Sequence, residues 1–238
     1  MTNLSDISGS GKLVEILREH VVEPIKNNEP GAGRRIIIYG PPGTGKTFVA
    51  KAIAGELGLE FMRISPSDSP QYVGDTVASA SNRTLLFYDE IEKVMDNPLL
   101  TDSIRQMPKD VTVIGATNFP WKISRLANEG FNSLVFLPEP DFEARKGILK
   151  HFLKDDAESV DLDRIAEMTE GCTAAGLYKI CNLAKGKETI ISESVYETAS
   201  NYTPTTIKNW LIELKANKGS MDEESFKPMF DWLKKKSG

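Results

Sequence analysis

Cysteine and histidine are scarce in this sequence of 238 residues, which contains two of each. Cys172 and Cys181 are nine positions apart in a segment with helical periodicity, so a helix would hold them too far apart for a disulfide. His20 and His151 stand apart from each other and from both cysteines, which excludes the ligand spacing of a zinc site. We therefore expect two reduced cysteines packed in the interior, and any metal ion to arrive together with a bound ligand.

Long hydrophobic runs and an excess of positive charge are also missing. No apolar stretch approaches the roughly 20 residues needed to cross a bilayer. The first residues, MTNLSDISGSGK, lack the charged and then apolar pattern of a secretory signal. The formal net charge of −5 argues against broad binding to the phosphates of nucleic acid. We expect a cytoplasmic protein without a membrane span and without a nucleic-acid partner.

Short apolar runs of strand length recur along the first part of the chain, separated by helical or loop segments. They cover Ile36–Tyr39, Phe61–Ile64, Leu85–Tyr88, Val111–Gly115 and Ser133–Leu137. Alternation of strands with longer connections is typical of a parallel sheet with helices on both faces. The sequence therefore predicts an α/β fold, in which an amphipathic helix over about Lys12 to Val22 precedes the first strand.

Helical periodicity replaces the strands after Asp141. The predicted helices cover Phe142–Leu153, Leu162–Met168, Thr173–Lys187, Thr205–Lys215 and Ser225–Lys236. The turn Leu137-Pro138-Glu139-Pro140-Asp141 contains two prolines, which prevent a helix from passing through it. We therefore predict two units, an α/β subdomain over residues 1–140 and a small all-helical lid subdomain over residues 141–238.

The loop after the first predicted strand matches the phosphate-binding P-loop pattern Gly-x-x-x-x-Gly-Lys-Thr. It comprises Gly40, Pro41, Pro42, Gly43, Thr44, Gly45, Lys46 and Thr47, and opens a helix predicted to run to Leu57. Glycines let backbone N–H groups turn toward a phosphate, and the helix N-terminus adds partial positive charge. In this pattern Lys46 reaches the β- and γ-phosphates and the Thr47 hydroxyl ligates magnesium. The sequence therefore predicts that the chain binds ATP with Mg²⁺ and hydrolyses it.

Three polar residues follow two of the later strands. Asp89 and Glu90 end the strand Leu85–Tyr88, where Asp89 is placed to hold magnesium and Glu90 to orient and deprotonate the attacking water. Asn118 follows the strand Val111–Gly115, and a parallel sheet brings its amide to the same edge, beside the γ-phosphate. Alone, such an acid pair marks a solvated strand end, and such an asparagine is turn chemistry. The upstream P-loop favours catalytic roles for Lys46, Glu90 and Asn118.

Together these motifs resemble the AAA ATPases of the group that contains katanin, spastin, valosin-containing protein and the proteasomal ATPases. The resemblance extends over nearly the whole chain. The wording GPPGTGKT is the usual P-loop of that family, and Ala116–Trp121 is similar to its sensor 1 segment. The resemblance implies a P-loop parallel sheet followed by a helical lid. It also implies a binding site for the nucleotide base formed by Asp6, Ile7, Phe48, Ala174 and Ala175.

The resemblance gives a role to Tyr72, Val73 and Gly74, which are similar to the aromatic-hydrophobic-glycine pore loop of protein-threading AAA machines. It implies that Tyr72 projects into the channel of a ring and grips an extended polypeptide without sequence preference. Outside that context, Tyr72 and Val73 would be interpreted as ordinary packing residues. The implied partners are a protein substrate and further subunits, in a homo-oligomer, for which the family implies a hexamer, or in a mixed ring.

The sequence departs from the family at the arginines that complete the ATP site of a neighbouring subunit. The usual Gly-Arg-Phe-Asp-Arg is replaced by Glu-Gly-Phe-Asn-Ser, which puts Gly130 and Ser133 at the arginine positions. Arg125 is the candidate substitute, and Arg105 is a weaker one. His151 lies one place before the position of the family's nucleotide-side histidine, so we interpret it as a surface helix residue.

Two functions of different classes remain open from the sequence. The first is a ring-forming ATPase that unfolds, threads or disassembles proteins. The second is an ATP-binding regulatory or scaffold subunit with weak hydrolysis, which needs a partner to supply the missing arginine. A DNA loader or helicase shares the P-loop, but the acidic charge balance and the aromatic pore loop argue against it.

Overall fold

Five parallel strands form one sheet in the computed structural model, which describes residues 2–7, 11–27, 29, 33–94, 98–123, 130–131, 133–185 and 191–237. The strands are β1 (Arg35–Tyr39), β2 (Glu60–Ile64), β3 (Thr84–Tyr88), β4 (Thr112–Thr117) and β5 (Ser133–Phe136). Their order across the sheet is β2-β3-β4-β1-β5. The predicted α/β fold with a parallel sheet is confirmed, and each strand begins and ends within two residues of its predicted bounds.

The register of the strands brings their carboxyl ends to one edge of the sheet. Tyr39, the last residue of β1, lies opposite Thr117 on one side and opposite Phe136 on the other. Tyr88, the last residue of β3, lies opposite Ile64, the last residue of β2. The segments that follow the strands therefore leave the sheet at the same edge, which is where open parallel sheets bind ligands.

Side chains alternate along the strands and fill a core on each face of the sheet. The helices of this part are α1 (Gly11–Leu17), which continues through a π-helical turn (Arg18–Val22) into α2 (Glu23–Lys26), α3 (Lys46–Leu57), α4 (Pro70–Ser79), α5 (Ile91–Val94) and α6 (Pro98–Gln106). Ile36 and Ile38 pack in the core that includes α1 to α3. Ile37 and Tyr39 point the other way, into the core that includes α4 to α6. Burial on both faces explains why the strands are apolar at nearly every position.

The helical unit after the proline turn comprises α7 (Phe142–Leu153), α8 (Leu162–Met168), α9 (Ala174–Lys185) and α10 (Ile191–Ser200). Asp141 caps α7, because its carboxylate accepts a hydrogen bond from the backbone N–H of Ala144 at 2.8 Å. The buried sides of the four helices meet in a core of their own, which contains Leu149, Ile180 and Val195. The sequence predicted α7 to α9 and missed α10.

The last two helices, α11 (Thr206–Asn217) and α12 (Lys227–Ser237), return to the sheet. Trp210, Leu214, Met229 and Phe230 are at most 3% exposed and share a core with Tyr39 of β1. In the described residues, the final helices of the predicted helical subdomain over residues 141–238 thus share a core with the α/β part, and the division into two units stays a prediction. An amphipathic pattern shows that a helix has a buried side, but not which surface covers that side.

None of the helices in the described part of the chain is both long enough and apolar enough to cross a membrane.

Candidate nucleotide site

The P-loop joins β1 to α3 in a conformation that requires glycine at two positions. Gly40 has a φ angle of 153°, and a Cβ atom there would lie 2.1 Å from the carbonyl oxygen of Leu137. Gly43 has a φ angle of 76°, and a Cβ atom there would lie 2.9 Å from the Cβ of Ala175. Such positive φ angles are rare for other residues. The loop therefore fits closely between the end of β5 and the helical unit.

Lys46, the first residue of α3, closes the P-loop on itself. Its ammonium group donates hydrogen bonds to the carbonyl oxygens of Gly40 at 2.9 Å and of Pro41 at 2.7 Å. Burial lowers the pKa of Lys46 to about 7, although nearby carboxylates act in the opposite direction. A bound phosphate can replace the two carbonyl oxygens as the partner of this side chain, and its negative charge favours the protonated form.

Asp89 and Glu90 form the turn that follows β3. The backbone N–H of Asp89 donates to the carbonyl oxygen of Ile64 at 2.9 Å, and its carboxylate pairs with the guanidinium of Arg63 at 2.6 Å. Glu90 has a φ angle of 50°, which is uncommon for a residue with a side chain, and its carboxylate pairs with Lys93 at 2.9 Å. A backbone of this kind costs about 1–3 kcal/mol and clusters at functional sites. The turn therefore directs two adjacent carboxylates to different cationic partners.

Thr47 and Asp89 line the same cleft, as the magnesium prediction requires. Hydroxyl and carboxylate oxygens are hard donors, and Mg²⁺ is commonly bound through one or two carboxylates together with the phosphates of a substrate and water. Thr47 reaches this position because it is the last residue of the P-loop and lies in the first turn of α3. The donor set therefore fits a magnesium ion that is held together with nucleotide phosphates.

Asn118 follows β4 and lines the cleft as well. Its backbone carbonyl accepts a hydrogen bond from the indole N–H of Trp210 at 2.6 Å. The turn is held further by the Thr117 hydroxyl, which accepts a hydrogen bond from the N–H of Phe119 at 2.9 Å. The position of Asn118 thus depends on α11, a contact that the sequence pattern did not predict.

These groups surround one cleft with a volume of about 1260 Å³. Small-molecule sites usually measure roughly 300–1,000 Å³, so a nucleoside triphosphate can be accommodated. The predicted base-side residues line it too, namely Asp6, Ile7, Phe48, Ala174 and Ala175. The backbone N–H of Ala175 donates to the carbonyl oxygen of Gly43 at 3.0 Å, which ties α9 to the P-loop. The structure therefore brings predicted residues from both units to one cleft, whereas Gly40, Pro41, Pro42 and Glu90 do not line it.

Two of the acidic residues near the cleft were missed by sequence reasoning. Glu92 on α5 is buried, and burial raises its pKa. Glu92 lies three residues after Asp89 in the sequence, and this short spacing was the signal that could have placed it near the predicted site. Glu139, in the proline turn, is also buried and pairs with Lys236 of α12 at 2.5 Å. No sequence pattern links these last two residues, because only the return of α12 to the sheet brings them together.

The interpretation of His151 as a surface helix residue is confirmed, but this residue also has a place in the site. His151 is exposed on α7, but it lines the cleft. Its ring centre lies 6.4 Å from that of Phe48, which the sequence had placed at the nucleotide base. The rings of Phe152 and Tyr178 continue this group, with centres 5.0 Å apart. An aromatic edge of this kind suits the flat face of a base.

The segment predicted as a pore loop forms the first turn of α4. Ser69 caps this helix, and its hydroxyl accepts a hydrogen bond from the N–H of Tyr72 at 3.2 Å. The Tyr72 side chain is 48% exposed, and its hydroxyl donates to the carbonyl oxygen of Arg63 at 3.3 Å. Val73 is only 5% exposed and packs in the core, whereas Gly74 is exposed. Tyr72 is therefore exposed and the Val73 side chain is not, and the predicted pore-loop role of the segment stays a prediction.

The candidate arginine, Arg125, lies outside the described residues. At the two positions where the family carries arginine, Gly130 is exposed with a φ angle of 84°, and Ser133 begins β5. An arginine at residue 130 would be strained, since side-chain-bearing residues rarely adopt this φ. The source of the completing arginine therefore stays a prediction.

Comparison with known proteins places this geometry in context. Residues 36–139 match the family described as ATPase family associated with various cellular activities (AAA). The chain is 28% identical to cell division protein C of Sulfolobus acidocaldarius over 98% of this chain and 71% of the relative. It is 34% identical to the proteasome-activating nucleotidase of Methanocaldococcus jannaschii over 75% of this chain, but it spans only 50% of that relative.

A solved structure that describes the basis of katanin self-assembly has a similar fold. The TM-score is 0.71 at 25% sequence identity, and the match covers 88% of this chain and 90% of the katanin chain. The similarity therefore includes the helical region as well as the sheet.

Proposed function

The chain contains an ATPase domain of the AAA family, and on that premise we propose that it hydrolyses ATP with Mg²⁺, forms rings and uses the hydrolysis to remodel, unfold or disassemble proteins. The observation that carries this proposal is the convergence of Lys46, Thr47, Asp89 and Asn118 on one cleft. These residues come from the segments after three different strands. Each has the chemistry that phosphoryl transfer needs.

Each side chain has a separate role in the proposed reaction. Lys46 exchanges its backbone carbonyl partners for the β- and γ-phosphates and places a positive charge beside them. Thr47 and Asp89 hold the magnesium ion, which neutralises phosphate charge when it is bound. Glu90 leaves Lys93 to orient the attacking water and accept its proton, and Asn118 positions the same water at the edge of the sheet.

Tyr72 supports the protein-remodelling part of the proposal. It is a large aromatic side chain, nearly half exposed, on a helix that follows β2. An aromatic ring can contact an extended polypeptide without reading its sequence. The relatives named above include a proteasome-activating nucleotidase, and the proteasome degrades proteins. We extend this type of substrate to the present chain.

The first experiment measures steady-state ATP hydrolysis against protein concentration, with the molar mass followed by light scattering in each nucleotide state. We expect turnover per chain to rise cooperatively as rings form. Glu90→Gln should abolish turnover and keep the rings in the ATP state. Glu60→Gln, which removes an exposed carboxylate at the opposite end of β2, is the matched control and should behave as the parent does. A chain that stays monomeric with negligible turnover would contradict the motor proposal.

The second experiment tests substrate contact. Tyr72→Ala should lower the amount of an unfolded model protein that is processed per ATP hydrolysed, because the exposed ring is lost. Ile212→Ala removes another large apolar side chain, 61% exposed on α11, and should leave this ratio unchanged. An equal decrease of this ratio in both variants would contradict a specific role of Tyr72 in substrate contact.

A regulatory or scaffold subunit with weak hydrolysis is the second candidate. The conformation of Gly130 favours it, since no arginine is available at that position and the fit for one is poor. Mixing two inactive variants separates the candidates. Arg125→Ala keeps the ATP site, and Glu90→Gln keeps the arginine. A ring that uses Arg125 across its interfaces regains turnover when the variants are mixed, whereas a subunit that depends on a different partner does not.

A further inference from the structure

Arg63 connects the turn after β3 with the exposed tyrosine of α4. It lies on β2, one of the two edge strands of the described sheet, and its side chain is 54% exposed. Its guanidinium pairs with the carboxylate of Asp89 at 2.6 Å, and its backbone carbonyl accepts the hydrogen bond from the Tyr72 hydroxyl at 3.3 Å. One residue thus contacts both the proposed magnesium ligand and the proposed substrate contact.

The ion pair between Arg63 and Asp89 opposes magnesium binding. A guanidinium and Mg²⁺ both seek the same carboxylate oxygens, and the two cations repel each other at contact distance. The Asp89 side chain is 26% exposed, so the pair is partly screened by water and by salt. Magnesium must therefore displace the guanidinium or share the carboxylate with it.

The hydrogen bond from the Tyr72 hydroxyl to Arg63 can also affect whether the guanidinium or magnesium binds Asp89. Tyr72 lies in the first turn of α4, and its hydroxyl holds the backbone of Arg63 near the end of β2. The next residue along the strand, Ile64, accepts the backbone hydrogen bond of Asp89 at 2.9 Å. A displacement of Tyr72 is therefore transmitted through two consecutive residues to both the backbone and the side chain of Asp89.

We propose that Arg63 is a positioning residue that holds the Asp89 carboxylate until magnesium binds, and that it relays the position of Tyr72 to that carboxylate. The proposal rests on the proposed roles of Asp89 and Tyr72 in the ATPase. In the relay, a polypeptide that moves Tyr72 loosens Arg63 and frees Asp89 for the metal. Substrate engagement thereby increases magnesium binding.

The test measures the binding of a fluorescent ATP analogue against free Mg²⁺, with Glu90→Gln in every protein so that no turnover occurs. Arg63→Gln should lower the half-saturating Mg²⁺ concentration by a factor of about three to five, the size expected for one partly exposed ion pair. Arg63→Lys keeps the charge and should stay close to the parent. Arg83→Gln removes the same charge from an exposed position just before β3, at the other end of that strand, and should have no effect.

Salt dependence gives a second readout. In about 1 M salt, where the Debye length is about 3 Å, the Arg63→Gln protein and the parent should converge. Equal half-saturating concentrations at low salt would overturn the positioning role. Asp89→Asn is measured in parallel and should raise the Mg²⁺ requirement. If Asp89→Asn does not raise this requirement, the proposed role of Asp89 as a magnesium ligand is wrong. That outcome differs from the one that would contradict the positioning role of Arg63.

A double-mutant cycle tests the relay. Tyr72→Phe keeps the ring and removes the hydroxyl, so it should lower the half-saturating Mg²⁺ concentration in the same direction as Arg63→Gln, by a smaller factor. In the Arg63→Gln protein, Tyr72→Phe should have a smaller effect than in the parent, because the guanidinium is gone and only the backbone hydrogen bond between Asp89 and Ile64 remains to transmit it. Additive effects, or no effect of Tyr72→Phe alone, would refute the relay.

Discussion

Trp210 is the most direct test of how the C-terminal helices contribute to the protein. Its side chain is 3% exposed in the core that also holds Tyr39, and its indole N–H donates to the carbonyl oxygen of Asn118 at 2.6 Å. Truncation of a buried tryptophan to alanine typically costs 3–5 kcal/mol, roughly, in the free energy of unfolding. Loss of the hydrogen bond adds about 1 kcal/mol. We therefore expect Trp210→Ala to destabilise the whole protein by about 4–6 kcal/mol.

Three variants separate the packing contribution from that of the hydrogen bond. Trp210→Phe keeps an aromatic ring in the core and leaves the Asn118 carbonyl without its indole donor, so we expect a cost of about 1–3 kcal/mol. Ile212→Ala, two residues along the same helix at a side chain that is 61% exposed, should change stability by no more than about 0.5 kcal/mol.

The assay is urea unfolding followed by far-ultraviolet circular dichroism, which does not depend on the tryptophan being removed. If Trp210→Ala cost no more than Ile212→Ala, the packing of α11 on the sheet would be wrong, and the last helices would belong elsewhere. A large cost for Trp210→Ala with none for Trp210→Phe would retain the packing and remove the energetic role of the indole hydrogen bond.

Further predictions concern the P-loop and the cysteines. Because the pKa of Lys46 is about 7 in the folded protein against an ordinary value of 10.5, the native state binds fewer protons than the unfolded state between these values, so stability rises with pH across that window. ATP binding restores the charge, and calorimetry in buffers of different ionisation enthalpy should show uptake of about one proton at pH 8 and of almost none at pH 6. Gly40→Ala should destabilise the protein by at least about 2 kcal/mol in urea unfolding, because its Cβ would collide with the carbonyl of Leu137; a neutral result would contradict the loop geometry. Burial raises the pKa of Cys172 and Cys181 to about 11, so iodoacetamide at pH 8 should leave both unmodified in the native protein and modify both in urea; rapid native labelling would contradict their burial.

The sequence predicted the sheet well because its signals are local. The apolar strands, the P-loop glycines and the acids after β3 each follow from short patterns whose meaning does not depend on distant residues. Gly40 illustrates this, since its place after an apolar run already indicated a tight turn before a helix. The predicted cleft residues came together because all strands of a parallel sheet end at the same edge.

The sequence was less informative where contacts join distant segments. The amphipathic pattern of α11 indicated a buried side but not that Trp210 would cover the sheet and hold Asn118. The resemblance to a pore loop predicted the same role for Tyr72 and Val73, although only Tyr72 is exposed once α4 forms. His151 was interpreted from its place on a helix, and its approach to Phe48 depends on how α7 meets the P-loop.

The sequence by itself therefore predicted the chemistry proposed for this protein, since the identity and spacing of Lys46, Thr47, Asp89 and Glu90 are those expected of a phosphate and magnesium site. The tertiary structure alone decided which other residues act on that site. Arg63 pairs with Asp89, and Glu139 with Lys236, only because separate elements fold against each other. The physical reason is that hydrophobic periodicity fixes which side of an element is buried, whereas the choice of partner depends on the shape and charge of surfaces that exist only in the folded chain.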